Sequence, residues 1–267
     1  NLDFGKRNYS TVIVDKVSFS EIALASKLLR KFGFSVMEIY FRSNLSKSML
    51  MRFLTICKNV QVIRANDRIV YPKRKVDPKI LKMDAFWRSS PHEMEESKEA
   101  IEAQLKREPA PMNLPKLKSL DYCIGTPLSL FGNCQLKEFN FLASSRSFSS
   151  PEWSHLDVYM IKKFLETQTS LEIMNLINDC SRLFIEDIMS KVNFRLKSLE
   201  LGRLSRLDNK ESLNFTAFIK VHEQSLERLK CESSLMRHFA DFNSLKSVEM
   251  NLDYNWALQC DVMPQVE

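Results

Sequence analysis

The residue types that most often carry chemistry are scattered in this sequence. The four histidines are dispersed along the 267 residues, and the six cysteines form no CxxC pair. His222-Glu223 begins like the HExxH motif of zinc hydrolases, but Leu226 stands where the second histidine ligand would be. We therefore predict no metal site and no catalytic histidine.

Nucleotide and acyl-transfer chemistry have equally little support. The chain has only five glycines, and none forms a GxGxxG, GxxxxGK[ST] or GxSxG motif. A loop that cradles phosphate needs clustered glycines, and a nucleophile elbow needs glycines on either side of its serine. We predict that the protein is not an enzyme and that it uses no cofactor.

One set of polar residues does recur with a fixed spacing. These residues stand two, four or six positions after the first apolar residue of a short repeated phrase, and their charge changes sign along the chain. Such a row can recognise another protein by charge complementarity, although ordinary exposed strand residues would show the same pattern. The predicted protein-binding residues are Glu38, Tyr40, Arg42, Arg64, Asp121, Asn140, Asn175, Glu200, Arg228, Lys230 and Glu249.

The phrase that positions these residues has the form LxxLxL. Clear copies begin at Leu117, Leu136, Leu171, Leu196 and Leu226, and a further copy begins at residue 245. Looser copies begin at residues 9, 36 and 60. Because 44% of the residues are hydrophobic, one match carries no weight, and the prediction depends on the repetition.

Helical patterns lie between several of these copies. Apolar residues recur at helical spacing in Ser46–Cys57, Ser154–Thr167, Phe184–Lys191 and Asn209–His222. A strand followed by a helix, repeated many times, produces parallel strands with the helices on one side. We predict an α/β leucine-rich-repeat solenoid with irregular repeats, with the strands on its concave face and the helices on its convex face.

We expect residues 1–267 to form one solenoid, interrupted by a charged insertion at about residues 71–113. Within it, Tyr71–Lys82 is basic and Glu93–Glu108 is rich in glutamate. The insertion is either a tolerated loop or a basic segment that binds a partner. Binding of nucleic acid through this basic segment is an alternative to protein binding.

Composition favours a protein partner over nucleic acid or a membrane. The net charge is only +6, with 39 basic and 33 acidic residues interspersed. No apolar run is long enough to span a bilayer, and no basic-then-apolar signal opens the chain. The isolated cysteines are typical of reduced thiols, so we expect an intracellular protein, cytoplasmic or nuclear.

The repeats resemble the leucine-rich-repeat region of F-box proteins, in particular irregular insect-type members. The resemblance covers most of the chain, and its main features are Arg7–Asp15, Leu28–Phe41 and Leu50–Ile63. Cys57-Lys-Asn-Val60 resembles the repeat variant in which a cysteine precedes the strand. No F-box is visible in this sequence, and the asparagine usual after the strand is present only as Asn44.

The resemblance implies a role in substrate recognition for a Skp–cullin–F-box ubiquitin ligase. In that family the F-box recruits the ligase core and the repeats hold the protein to be ubiquitinated. That role requires an F-box upstream of Asn1. The alternative is a leucine-rich-repeat scaffold or adaptor without a link to ubiquitination.

Overall fold

The described residues form an α/β fold built on one sheet of nine parallel strands, which are adjacent in chain order. The computed structural model describes residues 10–14, 27, 29–42, 47–65, 103, 106, 108–123, 127–142, 155–177, 181–184, 189–202, 204, 207 and 209–251. The strands are β1 (Thr11–Val14), β2 (Glu38–Phe41), β3 (Val62–Ala65), β4 (Ser119–Cys123), β5 (Glu138–Leu142), β6 (Ile173–Ile177), β7 (Ser198–Leu201), β8 (Arg228–Glu232) and β9 (Ser247–Asn251).

The strands coincide with the repeated phrase. Each begins two residues after the first apolar residue of a copy, as Glu138 does after Leu136. The register aligns equivalent positions of successive copies without a shift, for example Leu120 with Phe139 and Phe139 with Met174. The predicted parallel strands are therefore confirmed, insofar as they lie within the described residues.

The same backbone geometry recurs at all eight junctions between neighbouring strands. At each, the carbonyl of the residue just before the earlier strand accepts two N–H groups, from the residue just before the next strand and from that strand's first residue. The Lys118 carbonyl, for instance, accepts the N–H of Lys137 at 2.8 Å and that of Glu138 at 3.0 Å. Each repeat thus enters the sheet in the same way, although the connections between strands differ in length.

The core lies on one side of the sheet. Successive side chains in a strand point to opposite faces, so every second residue can be buried against the covering layer. The helices α1 (Lys47–Ile56), α2 (His155–Glu166) and α3 (Asn209–Val221) form part of that layer. Phe53 of α1 lies 6.2 Å from Phe41, and Phe164 of α2 lies 5.6 Å from Phe139, between ring centroids. The buried residues form one hydrophobic cluster from β1 to the turn after β8.

The helix predicted over Phe184–Lys191 differs from the structure. The described residues there form two 3₁₀ turns, Ser181–Phe184 and Met189–Lys191. Further 3₁₀ turns are Gly33–Ser35, Leu128–Phe131 and Ser233–His238. A short tight turn is enough to place one or two apolar side chains over a strand, and Phe184 and Met189 are both buried.

Two buried polar side chains near the end of a repeat bond to the backbone at the start of the same repeat. The Gln168 Oε1 atom accepts the N–H of Leu136 at 2.9 Å, and His222 Nδ1 accepts the N–H of Leu196 at 3.3 Å. Both N–H groups belong to the first apolar residue of a phrase, so Gln168 and His222 have equivalent roles. Burial, with the nearby Arg195 charge, lowers the pKa of His222 to about 3, so its imidazole is neutral.

Most of the charged insertion predicted at about residues 71–113 lies outside the described residues. Residues 103, 106 and 108–113 are its described part. Among the described helices, none combines the length and the apolar character needed to cross a membrane.

Candidate protein-binding face

The predicted binding residues lie on the side of the sheet opposite the helices, here called the outward face. They alternate along each strand with the core residues, and the register places them in rows across the sheet. One row has one residue from each strand, four positions after the start of the phrase. In strand order from β2 its members are Tyr40, Arg64, Asp121, Asn140, Asn175, Glu200, Lys230 and Glu249. Glu38 and Arg228 belong to the neighbouring row, and Arg42 directly follows β2.

A polar network links four strands at the centre of this face. Arg64 Nη1 donates to Asp121 Oδ1 at 3.3 Å and to Glu138 Oε1 at 3.0 Å. Asn140 Nδ2 donates to the same two carboxylates, at 2.7 and 2.9 Å, and its own Oδ1 accepts from Asn175 Nδ2 at 2.6 Å. We call these five side chains the central network.

The two middle members of the central network are buried, whereas Arg64, Glu138 and Asn175 are partly exposed. Asp121 is 9% exposed and Asn140 is 5% exposed, although both are on the side of the sheet away from the helices. Burial raises the pKa of Asp121, against the opposing hydrogen bonds from Asn140, the Ala65 N–H and Arg64. At Glu138 burial acts in the same direction, but the hydrogen bonds from Asn140 and Arg64 outweigh it and the pKa is lowered. Ionised carboxylates here are thus matched by donors from the chain itself.

A second charged group lies near the last strand. The Lys230 Nζ atom is 3.3 Å from Glu200 Oε1 and 3.1 Å from Glu249 Oε1. Hydrogen bonds to Glu249 and Glu200 raise the pKa of Lys230, so it is a stable cation at neutral pH. These exposed ion pairs add little stability, but they reduce the charge available to a partner.

The first two strands of the face have a different character. Ile13 is in register with Tyr40 and is 53% exposed. The Arg42 guanidinium lies over the Tyr40 ring, 5.4 Å from its centroid. Glu38 Oε2 accepts a hydrogen bond from the Thr11 hydroxyl at 3.2 Å.

In two places the oppositely charged residues of the outward face therefore form ion pairs with each other. Arg64 is held by Asp121 and Glu138, and Lys230 by Glu200 and Glu249. Sequence reasoning did not foresee this pairing, and it also passed over Ile13. The signal for Ile13 was available, because the loose copy beginning at residue 9 puts Ile13 at the same position as Tyr40.

The described residues contain no group of three or more His, Cys, Asp or Glu side chains that could hold a metal ion. Cys57, Cys134 and Cys231 are buried, and burial raises the pKa of each thiol to about 11. A polar groove of about 460 Å³ is lined in part by Lys197 and Lys246. Its two lysines are paired with Glu172 and Glu227, each at 3.2 Å.

The basic stretch Tyr71–Lys82, on which the nucleic-acid alternative depends, lies outside the described residues. A comparison with protein-family models finds no match for this chain, and neither does a comparison with curated proteins.

Proposed function

We propose that this chain is a leucine-rich-repeat solenoid that binds another protein through its outward face, which is the concave side of such a solenoid. The observation that carries the proposal is the arrangement of the sheet. Nine parallel strands follow each other in chain order, and the described helices pack against one side only. Repeat proteins of this shape commonly bind partners along the uncovered strands.

We further propose that the bound protein is a ubiquitination substrate, delivered to a Skp–cullin ligase by an F-box elsewhere in the full-length protein. The support for this step is the resemblance of the repeats to those of F-box proteins. In this role the chain acts by binding and not by catalysis, inside the cell.

The first experiment is an affinity purification of the full-length protein from its own cells, with the recovered proteins and the N-terminal peptides identified by mass spectrometry. An F-box peptide together with Skp and cullin subunits would support the ligase role. Partners without ligase subunits, and a native chain that begins near Asn1, would leave a scaffold or adaptor.

The face itself is tested by charge reversal in the same purification. Arg228 is exposed on β8 and pairs with no carboxylate among the described residues, so Arg228→Glu should leave the fold intact. Arg64 is a poor choice because its removal would leave Asp121 and Glu138 without their cation. Lys220→Glu, on the exposed side of α3, is the matched control. Partners lost with Lys220→Glu, or kept when Arg228→Glu is combined with Tyr40→Ala, would contradict binding through the outward face.

A further inference from the structure

The outward face differs in chemical character from one end of the sheet to the other. At its centre the members of the central network hydrogen-bond to one another, with Asp121 and Asn140 buried. Near β9, Lys230 is flanked by two carboxylates. A partner gains little from such groups, because each internal hydrogen bond or ion pair must be broken before a new one forms.

At the β1–β2 end of the face, the side chains that the structure describes form one hydrogen bond, from Thr11 to Glu38, and no ion pair. Arg42 is exposed, and it is within ion-pair distance of no carboxylate in the part of the chain that the structure describes. Its backbone is fixed, since the Arg42 N–H donates to the Val14 carbonyl at 2.9 Å. Its side chain is held over the Tyr40 ring, which orders the guanidinium without neutralising it.

An apolar side chain lies beside this cation. Ile13 is 53% exposed on a face where its equivalents in later strands are polar or charged. Covering apolar surface of this kind is favourable by about 25 cal/mol per Å². Tyrosine and arginine are also the types most often found among the residues that dominate binding at protein interfaces.

Arg228 at the other end provides an internal comparison. It too is exposed and makes no ion pair within the described residues, but its register neighbours are Ser198 and Ser247. No aromatic or apolar side chain adjoins it in that row, so it offers charge alone. Within the described residues, the β1–β2 end combines apolar surface, an aromatic ring and a cation that makes no ion pair.

We propose that Ile13, Tyr40 and Arg42, the β1–β2 patch, determine affinity for the partner, and that the partner presents an acidic side chain next to an apolar one. This inference rests on the proposed function and names the recognised feature. The carboxylate pairs with the Arg42 guanidinium while the apolar side chain covers Ile13 and the Tyr40 ring. Glu38, two residues before Tyr40 on β2, disfavours a second acidic group at that position.

The test uses a displayed library of random 12-residue peptides selected against the intact chain. We expect the enriched peptides to share an aspartate or glutamate adjacent to a large apolar residue. Arg42→Glu should weaken binding of a selected peptide by about tenfold or more, and Ile13→Ser should weaken it severalfold. Lys220→Glu serves as the control for net charge, and circular dichroism verifies that each variant is folded.

Four results would overturn the inference. Enrichment of no peptide, or of peptides without an acidic residue, would remove the proposed chemistry. Unchanged binding to Arg42→Glu with loss in Arg228→Glu would place recognition at the far end, so that the proposed function stands and the β1–β2 patch falls. Peptides insensitive to both variants would count against the outward face altogether.

Discussion

At the scale of single residues, Asn140 is the side chain on which the central network depends most. Both hydrogens of its amide are used, one on each carboxylate, and its oxygen accepts from Asn175. We expect Asn140→Ala to lower the free energy of unfolding by about 1–3 kcal/mol, because two carboxylates lose a donor in a largely buried site. Urea unfolding followed by circular dichroism measures the change.

Asn175→Ala is the control for that variant. It removes one hydrogen bond at the edge of the network and leaves Asp121 and Glu138 with all their donors. It should cost clearly less than Asn140→Ala. Equal losses for the two variants would mean that the carboxylates do not depend on Asn140.

His222 makes stability depend on pH. Its pKa is about 3 in the folded chain, against the ordinary histidine value of 6.5, so the unfolded state binds more protons between these pH values. The stabilisation from the neutral ring is complete above pH 6.5 and falls by up to about 1.4 kcal/mol per pH unit below it. Replacement by glutamine keeps an acceptor for Leu196, as Gln168 does for Leu136. We expect His222→Gln to flatten unfolding free energy measured between pH 7 and pH 4.5; an unchanged slope would contradict this account.

At the scale of the elements, the 3₁₀ turn Gly33–Ser35 and the end of α1 approach so closely that no side chain fits between them. A Cβ atom on Gly33 would lie 2.8 Å from Ile56 Cγ2 and 2.9 Å from the Ile56 carbonyl oxygen. We therefore expect Gly33→Ala to lower the melting temperature by several degrees, since backbone must move to relieve the contact.

Gly132→Ala, in contrast, should not lower the melting temperature. Its Cβ would meet the Ser129 carbonyl oxygen at 3.4 Å, and the residue has φ −58°, which alanine adopts freely. A melting temperature equal to that of the wild type, or slightly higher, is expected for this variant. If both glycine variants melt alike, the contact with Ile56 is not what constrains position 33.

The elements also mark where sequence reasoning succeeds and where it fails. The helices over Lys47–Ile56, His155–Glu166 and Asn209–Val221 agree with their apolar spacing, because each lays one apolar face on the sheet. The stretch from Phe184 to Lys191 has a similar spacing but forms 3₁₀ turns where it is described. Apolar spacing therefore predicts which residues become buried, but it does not predict whether a full helix or short 3₁₀ turns will bury them.

At the scale of the whole molecule, contacts run mainly between neighbouring strands, so local openings should begin at the ends of the sheet. All of β9 is exposed, whereas all of β4 is buried. We expect hydrogen exchange measured by mass spectrometry to be fastest in β9 and slowest in β4 and β5. Comparable protection of β9 and β4 would show that the array opens as a single unit.

The sheet and its rows were predictable because a repeat fixes register wherever equivalent residues must share one core. The internal pairing of charges was not, since Arg64 lies 57 residues from Asp121 and 74 from Glu138. The pairing of β3 with β4, across the long connection between them, and of β4 with β5 brings these three side chains together. The sequence therefore did not predict that charged residues of the outward face pair with each other. For the same reason it did not predict the difference between the β1–β2 patch and the rest of the face.

One hydrogen-bond pattern recurs at every junction between the described strands, so whole repeats can be added and the sheet can change in length. The 25 residues from Leu171 to Arg195 run from one copy of the phrase to the start of the next, and a duplicate placed after them would meet the same acceptors and the same register. We expect growth by tandem duplication of such a unit to preserve the backbone hydrogen bonds of the sheet. It would move the two ends of the outward face apart by about 4.8 Å per added strand, so the spacing of contacts on a partner could evolve separately from their chemistry.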